Sequence, residues 1–183
     1  MGEAKTYCDF VKNLEKGNVH RIYHDQEYGF PLKSDDELFG RLILEINQAG
    51  LSWSTILNKK ENFRLAYSNF SIEKIARYKV RDINRLLADA GIIRNKLKVN
   101  AAVFNANRVL AIQSEDGSFK KWLDNLHPLP LNEWVKAFKS NFKFTGGEIT
   151  KEFLTSSGYL KGAHTSSCPI FQKALKKKPM WSR

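Results

Sequence analysis

Apolar side chains recur at intervals of three or four residues along most of the chain, which is the spacing of amphipathic α-helices. The clearest helix is predicted to begin after Ser34, because Ser34 and Glu37 have the spacing of a capping box. It is predicted to end at Gly50, since glycine is common just beyond helix C-termini. Its apolar positions share one face: Leu38, Phe39, Leu42, Ile43, Ile46 and Ala49. Glu45 falls at the border of that face and is not expected to point into open solvent.

The same spacing predicts further helices downstream. Ser52, Ser71 and Asn132 are expected to cap three of them, because their side chains can accept a hydrogen bond from a free backbone N–H. The other clear helical segments are residues 80–89, 96 to about 113 and 148–157.

The N-terminal part of the chain lacks this spacing. Residues 8–21 are predicted to be a polar segment, and the glycine and proline within residues 23–31 predict a loop there. No convincing strand pair, internal repeat or low-complexity tract occurs. We therefore predict an all-α fold in which residues 1–183 form a single domain. The stiff connector at residues 127–130 is the strongest internal break, and it would suit an arrangement of two helical lobes.

Basic side chains outnumber acidic ones, with 30 Lys and Arg against 19 Asp and Glu and a net charge of +11. This excess is typical of proteins that bind polyanions such as nucleic acid, although membrane surfaces and anionic substrates attract it too. No apolar run approaches the roughly 20 residues of a membrane span, and the first six residues lack the apolar core of a signal peptide. We expect a soluble, cytoplasmic, monomeric protein with no membrane association and no indicated protein partner.

Residues 44–53 place chemically distinct side chains around a Gly-Leu turn. They include the carboxylate of Glu45, the indole of Trp53 and the amides of Asn47 and Gln48. A carboxylate near an aromatic face can hold a flat, cationic ring. The alternative is a helix end with an exposed glutamate and a tryptophan that belongs to the core.

A short apolar turn at residues 90–95, which contains Gly91, lies between two predicted helices. Helix, tight glycine turn and helix form a helix-hairpin-helix pattern, in which the N–H groups of the turn and of the next helix can hold a phosphate. Lys96 and Lys98 would add positive charge. An ordinary helical hairpin with surface lysines explains the pattern equally well.

The two cysteines of the chain, Cys8 and Cys168, lie near its two ends. A disulfide between them is not expected in a reducing compartment. His164 precedes Cys168 by four residues, and with Cys8 and His24 they form a Cys2His2 set suited to a closed tetrahedral zinc site. Spacing alone favours two buried thiols and two surface histidines, because Cys8 and His24 are farther apart than the ligands of a standard zinc-finger loop.

Five motifs resemble DNA-3-methyladenine glycosylase I, a family of the helix-hairpin-helix glycosylase superfamily. They occur in the order of that family and cover nearly the whole chain. The motifs are Tyr23-His24-Asp25-x-Glu27-Tyr28-Gly29, Glu45-x-Asn47-Gln48-Ala49-Gly50-Leu51-Ser52-Trp53, Asp89-Ala90-Gly91-Ile92-Ile93-Arg94, Phe142-Lys143-Phe144-x-Gly146 and His164-x-x-x-Cys168.

The resemblance implies a helix-hairpin-helix glycosylase fold with one structural zinc that joins the N- and C-terminal segments. It also implies a repair enzyme that flips N3-methyladenine out of alkylated double-stranded DNA and excises it, leaving an abasic site. The matching zinc ligands are Cys8, His24, His164 and Cys168. The matching pocket residues are Glu45, Tyr23 and Trp53, with Phe10 and Tyr28 lining the pocket.

Within that pocket we expect Glu45 to accept hydrogen bonds from the base and to complement its positive charge. Tyr23 would add a hydrogen bond or an aromatic wall, and Trp53 would stack on the ring. Because Asp116 lies in what reads as a solvated turn, it is not given the role of assisting water. No lysine in the hairpin has the position of a nucleophile that would form a Schiff base with the sugar. We therefore predict a monofunctional glycosylase that hydrolyses the glycosidic bond without cleaving the DNA strand.

The DNA contacts expected from this resemblance lie in two turns. Leu51 would insert into the gap left in the duplex, with plain core packing as the alternative. The turn around Gly91, together with Arg94, Lys96 and Lys98, would hold phosphate groups.

The chain departs from the family pattern in two respects. Phe10 and Tyr28 stand where the family has tryptophan, which keeps an aromatic face but offers a cation a weaker partner than indole. The gap between Cys8 and His24 is also longer than in the family, so Cys8 is the poorest match among the ligands. These departures leave room for a related glycosylase acting on another alkylated purine. A non-catalytic helix-hairpin-helix DNA-binding module would also explain the charge and the hairpin.

Overall fold

The computed structural model describes residues 6–183, whose regular structure is entirely helical, as predicted. The α-helices are α1 (Tyr7–Lys12), α2 (Val19–Gln26), α3 (Asp35–Gln48), α4 (Trp53–Ala66), α5 (Ile72–Ala76), α6 (Val80–Ala88), α7 (Lys96–Asp116), α8 (Phe119–Leu126), α9 (Leu131–Asn141), α10 (Gly147–Ser156) and α11 (Pro169–Lys176). Two short 3-10 helices span Ser68–Phe70 and Met180–Ser182. None of the described helices is long and apolar enough to cross a membrane. The signal-peptide prediction concerns mainly residues 1–5, which lie outside the described residues.

Helix α3 is the centre of the fold, and α4, α7, α8 and α10 pack around it. The predicted capping box is present, since the Ser34 side chain accepts from the Glu37 N–H and the Glu37 side chain accepts from the Ser34 N–H. Every residue from Leu38 to Asn47 is buried, including the polar Arg41 and Glu45. Because neighbouring helices cover every face of this stretch, Glu45 is more deeply buried than a position at the border of an apolar face would be.

The apolar core is one continuous cluster of buried side chains drawn from α3 through α10. Its aromatic part lies between α8, α9 and α10, where Phe119, Phe138 and Phe153 pack ring against ring. Of the 22 aromatic side chains, 13 belong to this cluster or pack against it, so much of the aromatic content serves the core.

The N-terminal prediction was wrong in detail, because residues 8–31 contain two helices, α1 and α2. Thr6 caps α1 by accepting from the Asp9 N–H, and Asn18 caps α2 by accepting from the His20 N–H. Helices of six and eight residues are too short to display a clear apolar period, so packing against neighbouring helices determines them. Tyr23 therefore lies on a helix, and the chain turns after α2 at residues 27–29, where Gly29 has a φ of +79°.

Two of the predicted caps were also wrong. The Ser71 side chain makes no cap bond, and the Ile72 N–H donates instead to the Asp36 carboxylate at 3.0 Å. Helix α9 begins at Leu131, one residue before Asn132, because Pro130 occupies the N-cap position and fixes the entering backbone. The Ser52 cap is confirmed, since its hydroxyl accepts from the Thr55 N–H at 3.2 Å.

Candidate active site and metal cluster

An open pocket of about 350 Å³ lies where α1, α2, α3, α4 and α10 meet. Its walls are aromatic, and its polar groups are two carboxylates, one amide and the hydroxyls of three tyrosines. The lining residues are Tyr7, Tyr23, Tyr28, Glu45, Gln48, Trp53 and Glu152. A flat ring with polar edges fits such a lining, because the aromatic faces can stack and the polar groups can accept or donate hydrogen bonds at the rim.

The aromatic walls are held by contacts between rings. The Tyr23 ring lies 5.2 Å from the Trp53 ring and 5.6 Å from the Tyr28 ring, centroid to centroid. Tyr7 completes the wall with an edge-to-face contact to Tyr28 at 5.4 Å. Tyr23 comes from α2, and Trp53 from the first turn of α4, directly after the Ser52 cap.

Phe10 does not line the pocket, contrary to the prediction. Its ring is 44 % exposed and packs beside Tyr7 at 6.1 Å and against the edge of His20 at 5.2 Å. Because residues three apart share a face of a helix, Tyr7 and Phe10 lie on the same side of α1, and of the two only Tyr7 reaches the pocket. Pattern analysis missed Tyr7, for which the only signal is an aromatic side chain next to Cys8.

Glu45 presents a buried carboxyl group to the pocket, with 4 % of the residue exposed. Its Oε1 accepts a hydrogen bond from the Ser156 hydroxyl on α10 at 3.0 Å. Burial raises the pKa of Glu45 to about 7, against the opposing effect of the Arg41 charge, and the charge of Glu152 raises it further. The carboxyl group is thus poised to change its charge near neutral pH.

Arg41 is a second functional side chain that pattern analysis missed, because its position falls within the apolar period of α3. It is 4 % exposed, and its Nη1 donates to the Tyr23 hydroxyl oxygen at 2.8 Å. Its Nη2 pairs with Glu27 at 3.3 Å, and Glu27 also pairs with Lys60. Since the Tyr23 oxygen accepts from Arg41, the phenolic proton is free to be donated elsewhere. Burial raises the pKa of Tyr23 well above its ordinary value, so the proton is retained at neutral pH.

The loop between α3 and α4 carries Leu51 at the surface. Gly50 adopts a φ of +80°, the left-handed region that favours glycine. The Leu51 N–H donates to the Gln48 carbonyl at 2.7 Å, and the Gln48 amide donates to the Leu51 carbonyl at 3.0 Å. The Leu51 side chain is 38 % exposed, so core packing does not account for it.

The predicted turn between α6 and α7 is present, with Arg94 and Lys96 exposed. Lys98 differs from the expectation of a surface lysine, since it is only 6 % exposed. Its ammonium donates to the carbonyls of Asn47 at 3.0 Å and Ala49 at 2.7 Å, at the C-terminal end of α3. The lysine is therefore directed into the fold and not towards a phosphate, because α3 packs against α7 and the free carbonyls at its end need donors.

A cluster of Cys8, His24, His164 and Cys168 lies beside the pocket, with all four ligand atoms within 4.8 Å of one another. Both thiols are free of disulfides. His24 Nε2 lies 3.2 Å from His164 Nδ1. The distances from each cysteine Sγ to these two nitrogens run from 3.3 to 4.0 Å. Ligand atoms of a tetrahedral zinc are roughly 3.3–3.8 Å apart, so this set could hold a metal ion of that size.

The outer nitrogens of both histidines have fixed partners. His24 Nδ1 lies 2.7 Å from the Asp25 carboxylate, and His164 Nε2 lies 2.8 Å from the Tyr28 carbonyl. Such partners hold the tautomer and the ring orientation of metal-binding histidines, leaving the inner nitrogen free to coordinate.

Residues 14–138 match the family model described as methyladenine glycosylase. The chain belongs to the methyladenine glycosylase family. DNA-3-methyladenine glycosylase 1 of Escherichia coli K12 is 33 % identical over 169 residues, covering 82 % of this chain and 90 % of that protein. DNA-3-methyladenine glycosylase of Haemophilus influenzae is 33 % identical over 183 residues, covering 90 % and 97 %.

A solved structure described as the basis of 3-methyladenine recognition by 3-methyladenine DNA glycosylase I from Staphylococcus aureus has the same fold. It is 33 % identical with a TM-score of 0.80, covering 91 % of this chain and 97 % of that one. Within this chain the methyladenine glycosylase match includes Tyr23, Glu45 and Trp53. Glu152, on α10, lies beyond the matched residues, as do Cys8, His164 and Cys168 of the Cys/His cluster.

Proposed function

We propose that this member of the methyladenine glycosylase family releases N3-methyladenine from alkylated double-stranded DNA, leaving an abasic site. The observation that carries the proposal is a buried carboxyl group, Glu45, in a pocket walled by Tyr23, Tyr28 and Trp53. A base within a duplex cannot reach such a pocket, so the damaged nucleotide must first be flipped out of the stack.

The chemistry required of the pocket is modest, because N3-methylation makes the base a cationic leaving group. When the glycosidic bond breaks, its electron pair stays with the base, which departs neutral, and water adds to the sugar and loses a proton. Glu45 accepts hydrogen bonds from the base and complements its charge, and Trp53 stacks on the ring. Tyr23 supplies an aromatic wall and a donor hydroxyl, which Arg41 orients. Selective binding and electrostatics therefore account for most of the catalysis.

The DNA is held by two turns, the loop between α3 and α4 beside the pocket and the turn between α6 and α7. Leu51 inserts into the gap that the flipped nucleotide leaves, as apolar side chains do in bent complexes. Arg94 and Lys96 contact phosphate groups on the backbone. The Gly91 N–H, which was predicted to hold a phosphate, donates instead to the Asp89 carboxylate at 2.7 Å. The net charge of +11 supports this assignment, since it attracts DNA over a long range.

The Cys8, His24, His164 and Cys168 cluster is proposed to hold one structural zinc ion. Two thiols and two imidazoles are a common donor set for closed zinc sites, and the carboxylate and carbonyl behind the histidines fit that role. When bound, the ion ties α1, α2 and the segment before α11 together. Because Tyr7 lies next to Cys8, the ion also fixes one wall of the pocket.

A base-release assay on methylated DNA tests the proposed activity. Glu45→Gln should lower kcat/KM for 3-methyladenine release by about a hundredfold or more, because it removes a preorganised charge without changing the shape of the side chain. Circular dichroism and thermal unfolding should show an intact fold, and Glu148→Gln on the surface of α10 is the control. Full activity in the Glu45 variant would refute the assigned role.

The same assay addresses the second candidate, a glycosylase for a different alkylated purine. The favouring observation is that Tyr28 replaces the indole of the family pattern and that Phe10 lies outside the pocket. Release of 7-methylguanine or hypoxanthine faster than 3-methyladenine would favour this candidate. Absence of any base release would leave a non-catalytic DNA-binding module.

A further inference from the structure

Glu152 is a second carboxylate in the pocket, one that neither the sequence motifs nor the family match includes. It lies on α10 four residues before Ser156, so the two side chains share one face of that helix. Ser156 donates to Glu45, which shows that this face of α10 is directed towards the pocket. Glu152 is half-buried, and its Oε2 accepts a hydrogen bond from the Tyr28 hydroxyl at 3.3 Å.

The carboxylate of Glu152 has no basic partner within ion-pair distance among residues 6–183. Glu27, on the other side of Tyr23, is paired with both Arg41 and Lys60. The pocket thus contains two carboxylates, Glu45 and Glu152. The buried cation nearest to them is the Arg41 guanidinium, which already forms an ion pair with Glu27. Carboxylates that share a confined space without counter-charges are costly unless a cation joins them.

We infer that Glu152 is a specificity-determining residue of the base site, which selects a cationic alkylated purine over a neutral base of the same shape. This inference rests on the proposed function. Glu45 lies deep in the pocket and accepts from one edge of the base, whereas Glu152 is more exposed and accepts from an amino group or faces the positive ring. Tyr28, which donates to Glu152, keeps the carboxylate in place and forms the adjoining wall.

The ligand chemistry follows from these positions. A purine alkylated on a ring nitrogen while joined to the sugar is a flat cation with an exocyclic amino donor. Two carboxylates placed around four aromatic rings complement both properties. A neutral purine satisfies the shape of the pocket but leaves the second carboxylate without a counter-charge, which disfavours its binding.

Glu152→Gln tests the inference, because the amide retains an acceptor for Tyr28 while the charge is lost. Two quantities are measured on folded full-length protein. One is kcat/KM for 3-methyladenine release from methylated duplex DNA. The other is the Kd for a duplex that carries 3-deaza-3-methyladenine, a neutral analogue of similar shape. We expect kcat/KM to fall about tenfold, the effect of one charge-assisted contact. The Kd for the neutral analogue should fall, because the carboxylate charge that disfavours a neutral base is gone.

Glu148→Gln is the matched control, since Glu148 lies one turn earlier on α10 and is exposed. It should change neither quantity more than twofold. Unchanged kcat/KM in the Glu152 variant, or equal losses of kcat/KM and of affinity for the analogue, would overturn the inference, the second result showing a purely structural role. If the unmodified protein releases no methylated base at all, the proposed function itself is wrong.

Discussion

Tyr23 and His24 are neighbours on α2 but belong to two polar clusters of different character. His24 joins a closed set in which each histidine has a fixed partner behind it and its inner nitrogen faces the two thiols. Tyr23 joins an open pocket in which Glu45 has a single hydroxyl donor and faces empty volume. A polar cluster whose histidines are both oriented by protein groups is suited to hold a fixed ion and stabilise the fold. A pocket whose two carboxylates each accept from one hydroxyl group, and have no ion-pair partner among residues 6–183, is suited to a cationic ligand.

Removal of the metal should produce the largest effect, because the closed cluster joins three segments of the chain. Cys168→Ser should lose the zinc that elemental analysis is expected to find at about one per chain in the unmodified protein. Its free energy of unfolding should fall by several kcal/mol, since metal binding to such sites is coupled to folding. Urea unfolding with zinc analysis measures both quantities.

Ser166→Ala, an exposed change two residues away, is the control for this experiment and should alter neither quantity. A zinc-free protein that keeps its full unfolding free energy would break the contrast between the two clusters. It would return the four side chains to the simpler interpretation of buried thiols and ordinary histidines.

The next largest effect should be the pH dependence of base release, which reports on the carboxyl group of the open pocket. Since the pKa of Glu45 is raised to about 7, kcat/KM for a cationic base should rise roughly tenfold between pH 6 and pH 8 as the carboxylate forms. The groups that face Glu45 are Arg41 on its own helix, Tyr23 and Tyr28 from the α2 region, and Glu152 on α10. A profile that is flat from pH 6 to pH 8 would argue against a buried, ionising Glu45.

The same carboxyl group should affect stability in the opposite direction. Because the pKa of Glu45 is higher in the folded protein than its ordinary value of 4.5, its stabilising contribution is present below pH 4.5 and is lost as the pH rises through about 7. Relative to the unmodified protein, Glu45→Gln should therefore gain about 3 kcal/mol in unfolding free energy between pH 4 and pH 8. Urea unfolding of both proteins across this pH range isolates the contribution of Glu45 ionisation to the unfolding free energy, since effects of the Cys/His cluster are common to both.

The two clusters also differ in how far the sequence could predict them. Glu45 and Trp53 lie in one short segment, where helix phase and the Ser52 cap determine their placement. The four residues of the Cys/His cluster come from opposite ends of the chain. Residue types suggested a Cys2His2 set, but spacing alone favoured separate thiols and histidines, and the resemblance to a family was needed to reverse that preference. Arg41 and Glu152 were missed for a related reason, because each becomes significant only through a neighbour on another helix.

For Lys98 the sequence pattern predicted a functional role that the packing does not support. Its position near a glycine turn and beside Lys96 is typical of a surface lysine that contacts phosphate. Only the packing of α7 against the end of α3 reveals that its ammonium is needed by the carbonyls of Asn47 and Ala49. Residues that connect two helices in this way cannot be recognised from the period of either helix alone.

The smallest predicted effect distinguishes a lysine that supports the end of α3, Lys98, from a lysine that contacts DNA phosphate, Lys96. Lys98→Met retains the apolar stem but leaves the carbonyls of Asn47 and Ala49 without their donor, which should cost about 2 kcal/mol of unfolding free energy. The salt dependence of DNA binding should not change, because the ammonium does not reach DNA. Lys96→Met should do the reverse, keeping the stability and reducing the slope of log K against log salt by about 1. If Lys98→Met instead keeps its stability and reduces the salt slope, the lysine turns outward to a phosphate when DNA binds, and the end of α3 must find another donor.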